Sequence, residues 1–247
     1  MSEGIVEMQQ ENRISFINSF RKGISDGIPI ALGYLSVAFT FGMMATEGGL
    51  SAAEALLISM TNLTSAGQIA GLDVMLAGGT LLEMALTQLV INMRYALMSI
   101  SLSQKMHKSV RFRDRFLIAF GNTDEIFAVA SAKPAELGKK YMFGLILAPF
   151  LGWSSGTLIG AAAGALLPDA VRSALGIAIY GMFLAVFIPP MKKTCAISIV
   201  VAAAAVLSCL FKFVPVLSDV SSGFVIIICS VLAAVLGAVI KPVDDRN

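Results

Sequence analysis

Long apolar runs separated by short polar clusters dominate this chain. Runs at about 24–46, 79–101, 141–166, 174–189, 194–212 and 220–240 have the length and composition of helices crossing a hydrocarbon core about 30 Å thick. Two stretches break the pattern. In residues 51–76 a helical SAAEALLISM gives way to TNLTSAGQ, small and polar, before IAGLDVML turns apolar again. In residues 116–131 two apolar runs flank Gly121-Asn122-Thr123-Asp124-Glu125. An ionised Asp at mid-membrane costs about 2.5–3.5 kcal/mol on insertion scales. Two adjacent acids beside Gly and Asn therefore predict helix ends that meet at a wet cavity. The competing reading is a cytoplasmic amphipathic helix whose acids face water.

Composition agrees with a membrane. Hydrophobic residues make up 57% of the 247 residues and charged residues 14%, against about 25% charged in a soluble domain. Mean hydropathy is +0.82. The predicted fold class is an all-α polytopic integral membrane protein. It has about six full spans plus two broken or re-entrant helical elements, with seven or eight full spans as the alternative. Residues 1–22 form a polar leader without the features of a secretory signal, 23–241 a single transmembrane domain, and 242–247 a short tail. Cys195, Cys209 and Cys229 lie in apolar segments without metal-ligand spacing and are expected to be small core residues. The sequence offers no metal site, no cofactor motif, no catalytic cluster and nothing suited to nucleic acid, and the expectation is that the chain is not an enzyme.

Charge distribution orients the chain. The segment QKMHKSVRFRDR carries five basic residues, Lys105, Lys108, Arg111, Arg113 and Arg115, and KPAELGKK carries Lys133, Lys139 and Lys140. The positive-inside rule puts both in the cytoplasm, with both termini. Full crossing by 51–76 would throw the five-positive loop outside. The conflict disappears if 51–76 enters and leaves from outside, and if 116–131 enters and leaves from the cytoplasm. The two stretches also align: Leu57–Asn62 matches Leu117–Asn122 sixty residues later. Opposite entry sides are what an inverted repeat predicts, with both polar tips near the midplane.

Candidate site residues follow. Thr61, Asn62, Thr64, Ser65, Gly67 and Gln68, with Asn122 and Thr123, are substrate-binding candidates, because broken helices expose backbone groups that polar side chains supplement. Asp124, Glu125, Arg94, Asn92 and Asp26 are candidates for proton coupling or charge pairing. Arg94 has three readings: snorkelling toward the basic loop, a structural ion pair, or direct contact with substrate. Pro29 and Gly121 are expected helix breaks. Gly33 and Gly42, and Gly152, Gly156, Gly160 and Gly164 at strict four-residue spacing, predict close helix contacts. Glu83 reads as an ordinary interfacial acid, and Ile69, Ile126 and Phe127 as the apolar part of a pocket.

Several of these residues, in this order and spacing, resemble a known family: Gly27-Ile28-Pro29 with Gly33 and Gly42, Thr61-Asn62-Leu63-Thr64-Ser65-Ala66-Gly67-Gln68, Asn92-Met93-Arg94-Tyr95, and Thr123-Asp124-Glu125. Over roughly residues 20–240 the chain is similar to the AzlC/BrnF/YgaZ family, large subunits of two-component branched-chain amino acid exporters. It departs from many relatives at Tyr95, where they carry His. The resemblance implies export of Leu, Ile and Val, with Met as a further candidate, driven by the proton gradient. It also implies a small AzlD/BrnE-type membrane subunit as partner and a place in the prokaryotic cytoplasmic (inner) membrane. The rival reading of the same broken helices is a passive channel or facilitator for a small zwitterion.

Overall fold

The computed structural model describes residues 19–134, 136–168, 194–217 and 219–240, with scattered positions between 170 and 192. The span expected at 174–189 lies largely outside the described residues, as do most of the leader and the tail. Among the described residues regular structure is helical apart from one isolated bridge between Met106 and Leu137. The elements are α1 (Phe20–Glu47), α2 (Ala52–Thr61), α3 (Ser65–Leu76), α4 (Leu81–Gln104), α5 (Phe112–Phe120), α6 (Asp124–Ser131), α7 (Lys139–Ala163), α8 (Cys195–Phe213) and α9 (Ser222–Ile240). Four of them, α1, α7, α8 and α9, are long and apolar enough to cross a membrane. The helices group into two compact units, Met1–Thr64 with Met93–Leu166, and Ser65–Asn92 with Leu167–Asn247.

The first unit is built on α1 and α7, which pack in parallel along a seam of glycines. A Cβ on Gly27 would come within 2.9 Å of the Leu145 carbonyl; on Gly152, within 2.5 Å of that of Ala31; on Gly156, within 2.5 Å of that of Leu35. Gly23, Gly42, Gly144 and Gly160 meet the facing backbone closer still. Only residues without a Cβ allow two backbones this near. Gly33 is not part of the seam, since nothing lies within 4 Å of where its Cβ would be. Pro29 does not break α1 either, which runs through it uninterrupted. A proline removes one helical hydrogen bond, but here the flanking Gly27 and Ala31 are clamped against α7, and that packing holds the helix together.

Both predicted breaks are present. Ser51 caps α2: its Oγ accepts from the Glu54 N–H at 3.2 Å, and Glu54 accepts from the Ser51 N–H at 2.7 Å. α2 ends where Asn62 leaves helical geometry (φ −133°, ψ 85°), and α3 begins three residues later at Ser65. α5 ends at Gly121, where any side chain would collide with Ile146, and Thr123 caps α6 by accepting from the Ile126 N–H at 3.4 Å. Ser59 and Thr157, both fully buried, tie α2 to α7 through hydroxyls 2.6 Å apart.

One end of this unit is basic. The loop after α4 pairs with the α6–α7 connection: Leu137 donates to the Lys105 carbonyl at 3.0 Å and His107 to the Leu137 carbonyl at 3.1 Å. Arg115 donates to the Ser103 carbonyl at 2.9 Å, satisfying a C-terminal acceptor of α4. A core of Leu102, Met106, Ile118, Ile126, Leu137, Tyr141 and Leu145 sits beneath these loops.

In the second unit α8 packs on α9, with Gly237 meeting Val200, and α9 also packs on α3. The three cysteines are free thiols; Cys229 is buried, whereas Cys195 and Cys209 are exposed. The expectation of small core residues therefore holds for Cys229 alone.

Candidate functional site

In the first unit the two helix breaks meet. Leu63, inside the first break, packs with Tyr34, Ala38 and Trp153. The Tyr34 ring stands edge-on to Trp153 with centroids 5.0 Å apart. Its hydroxyl lies 2.6 Å from Thr123 Oγ1, in the second break, and donates to the Glu125 carboxylate. Tyr95 makes a second link: its hydroxyl lies 3.4 Å from Thr64 Oγ1, in the first break, and accepts from Arg94 Nη2 at 3.0 Å. Arg94 Nη1 in turn is 2.7 Å from Asp124 Oδ2 at the start of α6. Two tyrosines thus join one break to the other.

Depth along the helices is consistent. Tyr34 lies at the middle of the 28-residue α1, Trp153 near the middle of the 25-residue α7, and Arg94 near the middle of the 24-residue α4. Arg94, near the middle of its helix, points its guanidinium to the first residue of α6, where it pairs with Asp124. The pair is half-buried, with 42% of the Arg94 side chain and 35% of the Asp124 side chain exposed. Of the three readings of Arg94, the ion pair is the one the structure shows.

The remaining groups add donors and acceptors. Asn122 is buried and donates from Nδ2 to Ser99 Oγ at 3.1 Å, while its Oδ1 is buried with no partner among the described residues. The free N–H groups at the start of α6 carry partial positive charge. A groove of about 400 Å³ lined by Ser99, Ile100, Phe112, Phe116 and Ala119 adjoins the Asn122 partner. Chemically the site has a forked cation, two carboxylates, an unused amide acceptor and hydroxyls, which is a set able to hold both ends of a zwitterion.

Residues 29–167, more than half of the chain, match the family model described as AzlC protein. The chain belongs to the AzlC family. This AzlC-family chain is 36% identical over 175 residues to an uncharacterized membrane protein of Archaeoglobus fulgidus, covering 70% of this chain and 76% of the relative. It is 31% identical over 182 residues to the inner membrane protein YgaZ of Escherichia coli, covering 71% and 74%. A membrane protein of Helicobacter pylori matches at 25% identity over 182 residues, covering 72% and 78%. No solved structure matches. With relatives that are membrane proteins and helices able to span, this AzlC-family chain is a helical membrane protein.

The structure gathers some predicted residues of this AzlC-family chain and separates others. Thr64, Asn122, Thr123, Asp124, Glu125 and Arg94 come together around the two breaks; Gly121 ends α5 beside them. Asn62 ends α2 and Thr61 is exposed, its hydroxyl turned back to the Leu57 carbonyl at 2.7 Å. Asp26 belongs elsewhere in the unit, with Lys22 and Lys133 each 2.6 Å away and the Tyr141 hydroxyl at 3.0 Å. Ser65, Gly67, Gln68 and Asn92 belong to the second unit. There the Gly67 carbonyl accepts from Gln88 Nε2 at 2.7 Å, Gln68 is buried, and Asn92 donates to Gln88 Oε1 at 3.0 Å. Ile126, expected to line a pocket, is fully buried in the core beneath the loops. Tyr34 and Ser99 were not legible as site residues, because a Tyr or Ser in an apolar run reads as filler.

Proposed function

We propose that this chain is a secondary transporter that exports branched-chain amino acids, Leu, Ile and Val with Met as a further candidate, across the prokaryotic inner membrane. The proton gradient drives it, and it works with a small AzlD/BrnE-type membrane subunit. One observation carries the reading: an ion pair between Arg94, midway along α4, and Asp124, the first residue of α6, where two broken helices meet. A zwitterion entering there can split the pair, its carboxylate taking the Arg94 fork and its ammonium the Asp124 carboxylate. Each charge exchanges one partner for another, so no charge is left bare in a low-dielectric site. The vacant Asn122 Oδ1 supplies a further acceptor for the ammonium, and the start of α6 favours the carboxylate. The neighbouring groove suits an aliphatic side chain, since such pockets pair a few fixed polar groups with apolar walls.

The deciding experiment is efflux of preloaded leucine from cells expressing the chain, with and without the small subunit and a protonophore. Partner-dependent, protonophore-sensitive efflux is expected. Movement that only follows the leucine gradient would replace the transporter by a channel or facilitator, and no movement would refute the substrate class.

A further inference from the structure

In the second unit an acid and a base line one cavity without pairing. The cavity measures about 430 Å³, and its walls include Asp73 of α3, Ser208 and Lys212 of α8, and Val225 and Ile226 of α9. Asp73 lies within one turn of the end of α3, Lys212 in the last turn of α8, and Val225 and Ile226 in the first two turns of α9. Among the described residues neither Asp73 nor Lys212 makes an ion pair, with each other or with any other side chain. That sets Asp73 apart from Asp26, Asp114 and Asp124, each of which has a lysine or arginine partner.

A carboxylate and an ammonium on the walls of one cavity complement a small molecule that carries both charges. Ser208 adds an acceptor: its hydroxyl donates only to the Cys229 sulfur, at 3.8 Å, and its oxygen lone pairs stay available. Phe211, Val225 and Ile226 give the cavity its apolar walls. Its volume lies in the range of sites for one small ligand, and a few polar groups set in an apolar lining are the usual make-up of such sites. Lys192 and Lys193 precede α8 and Lys241 follows α9 in sequence. The positive-inside rule therefore puts the opposite ends of both helices, and the cavity between them, on the outer side of the membrane.

We propose that this cavity is a second binding site for an aliphatic α-amino acid. Lys212 takes the carboxylate, Asp73 and Ser208 take the ammonium, and the side chain lies against Phe211, Val225 and Ile226. The site shares no residue with the Arg94–Asp124 pair. Its role rests on the transport reading: in an exporter, an outer site holds the amino acid before release. Its chemistry rests on the cavity alone.

Equilibrium dialysis of radiolabelled leucine against the purified full chain in detergent tests the site. About two leucines per chain are expected at saturation. Asp73→Asn and Lys212→Met should each weaken one of them at least about tenfold and keep the other, while Arg94→Gln does the reverse. In the Arg94→Gln protein, leucinamide, which lacks the carboxylate, and isocaproate, which lacks the ammonium, should both fail to displace the remaining leucine. Wild-type stoichiometry in Asp73→Asn and in Lys212→Met overturns the outer site and leaves the transport reading standing. A single bound leucine that is lost in Asp73→Asn and kept in Arg94→Gln upholds the outer site and removes the Arg94–Asp124 one. Displacement by isocaproate as readily as by leucine overturns the zwitterion assignment. No binding to the wild type overturns the site, and leucine efflux then judges the transport reading separately. Asp73 and Lys212 are both exposed and unpaired, so neither replacement should unfold the chain; should one do so, the other decides.

Discussion

Arg94 and Asp124 are about thirty residues apart in sequence and 2.7 Å apart in space. A fully buried pair that loses one partner is destabilised by about 3–5 kcal/mol. This pair is more than a third exposed on both sides, so screening brings its worth to stability down to about 1 kcal/mol or less. The two charges should therefore matter for transport more than for folding. Arg94→Gln and Asp124→Asn are each expected to cut leucine efflux at least about tenfold, about 1.4 kcal/mol in the relevant barrier, with expression near wild type. Full efflux in Asp124→Asn would remove the pair from the mechanism.

Tyr34→Phe is a finer probe at the same place. It keeps the edge-on contact with Trp153 and deletes the hydroxyl between Thr123 and Glu125. The loss should be about 1–3 kcal/mol, the larger part from leaving Glu125 without its donor. Reduced efflux with an unaltered second break, followed by the tryptophan fluorescence of Trp153, is the expected result. Wild-type efflux in Tyr34→Phe would mean that this link between the breaks is idle. The acids themselves were legible in the sequence because charge is rare inside apolar runs. Their partners were not, because pairing depends on which helices pack together. Glu83 shows the same limit: near a helix start it reads as interfacial, and only the arrival of α9 buries it.

Helix boundaries followed composition where the cause was local and failed where it was not. Asn62 and Gly121 both sit where a polar, glycine-containing run interrupts an apolar one, and both helices end there. Pro29 carries the strongest local signal for a break, yet α1 continues, because the seam with α7 outweighs one missing hydrogen bond. The four-residue glycine spacing correctly marked α7 as a close-packing helix but could not name α1 as its partner. Gly160→Ala tests the seam. Its Cβ would strike the Phe39 backbone, which cannot yield as a flexible side chain does, and overpacking of this kind costs about 1–3 kcal/mol. A drop in unfolding midpoint of several degrees is expected, at about 2–4 °C per kcal/mol for a chain of this size. Gly33→Ala is the control: with open space at its Cβ it should be neutral, or more stable by up to about 1 kcal/mol from helix propensity. Equal losses in both variants would mean that the seam does not determine the packing.

Topology follows from the basic end of the first unit. α1 and α7 run in parallel from that end, and α4 finishes there, where Lys105 pairs with Leu137. Between α1, which leaves the basic end, and α4, which returns to it, lie only α2 and α3, of 10 and 12 residues. At 1.5 Å per residue these are about 15–18 Å long, half of a hydrocarbon core about 30 Å thick. Neither half crosses alone, and joined end to end as one span they would put the five basic residues after α4 on the wrong side. The pair should therefore enter and leave from the side opposite the basic loops. In a background with Cys195, Cys209 and Cys229 replaced by Ala, Asp73→Cys should react with a membrane-impermeant thiol reagent from outside the cell only. Lys108→Cys should react only after the cytoplasmic face is opened. The exposed Cys195 and Cys209 make that background necessary. Labelling of position 73 from the cytoplasmic face alone would turn α2 and α3 into a single broken span. It would also remove the opposed entry that the charge pattern predicts for the two half-helix pairs, and with it the proposal that Thr64 and Thr123 reach one substrate from opposite sides of the membrane.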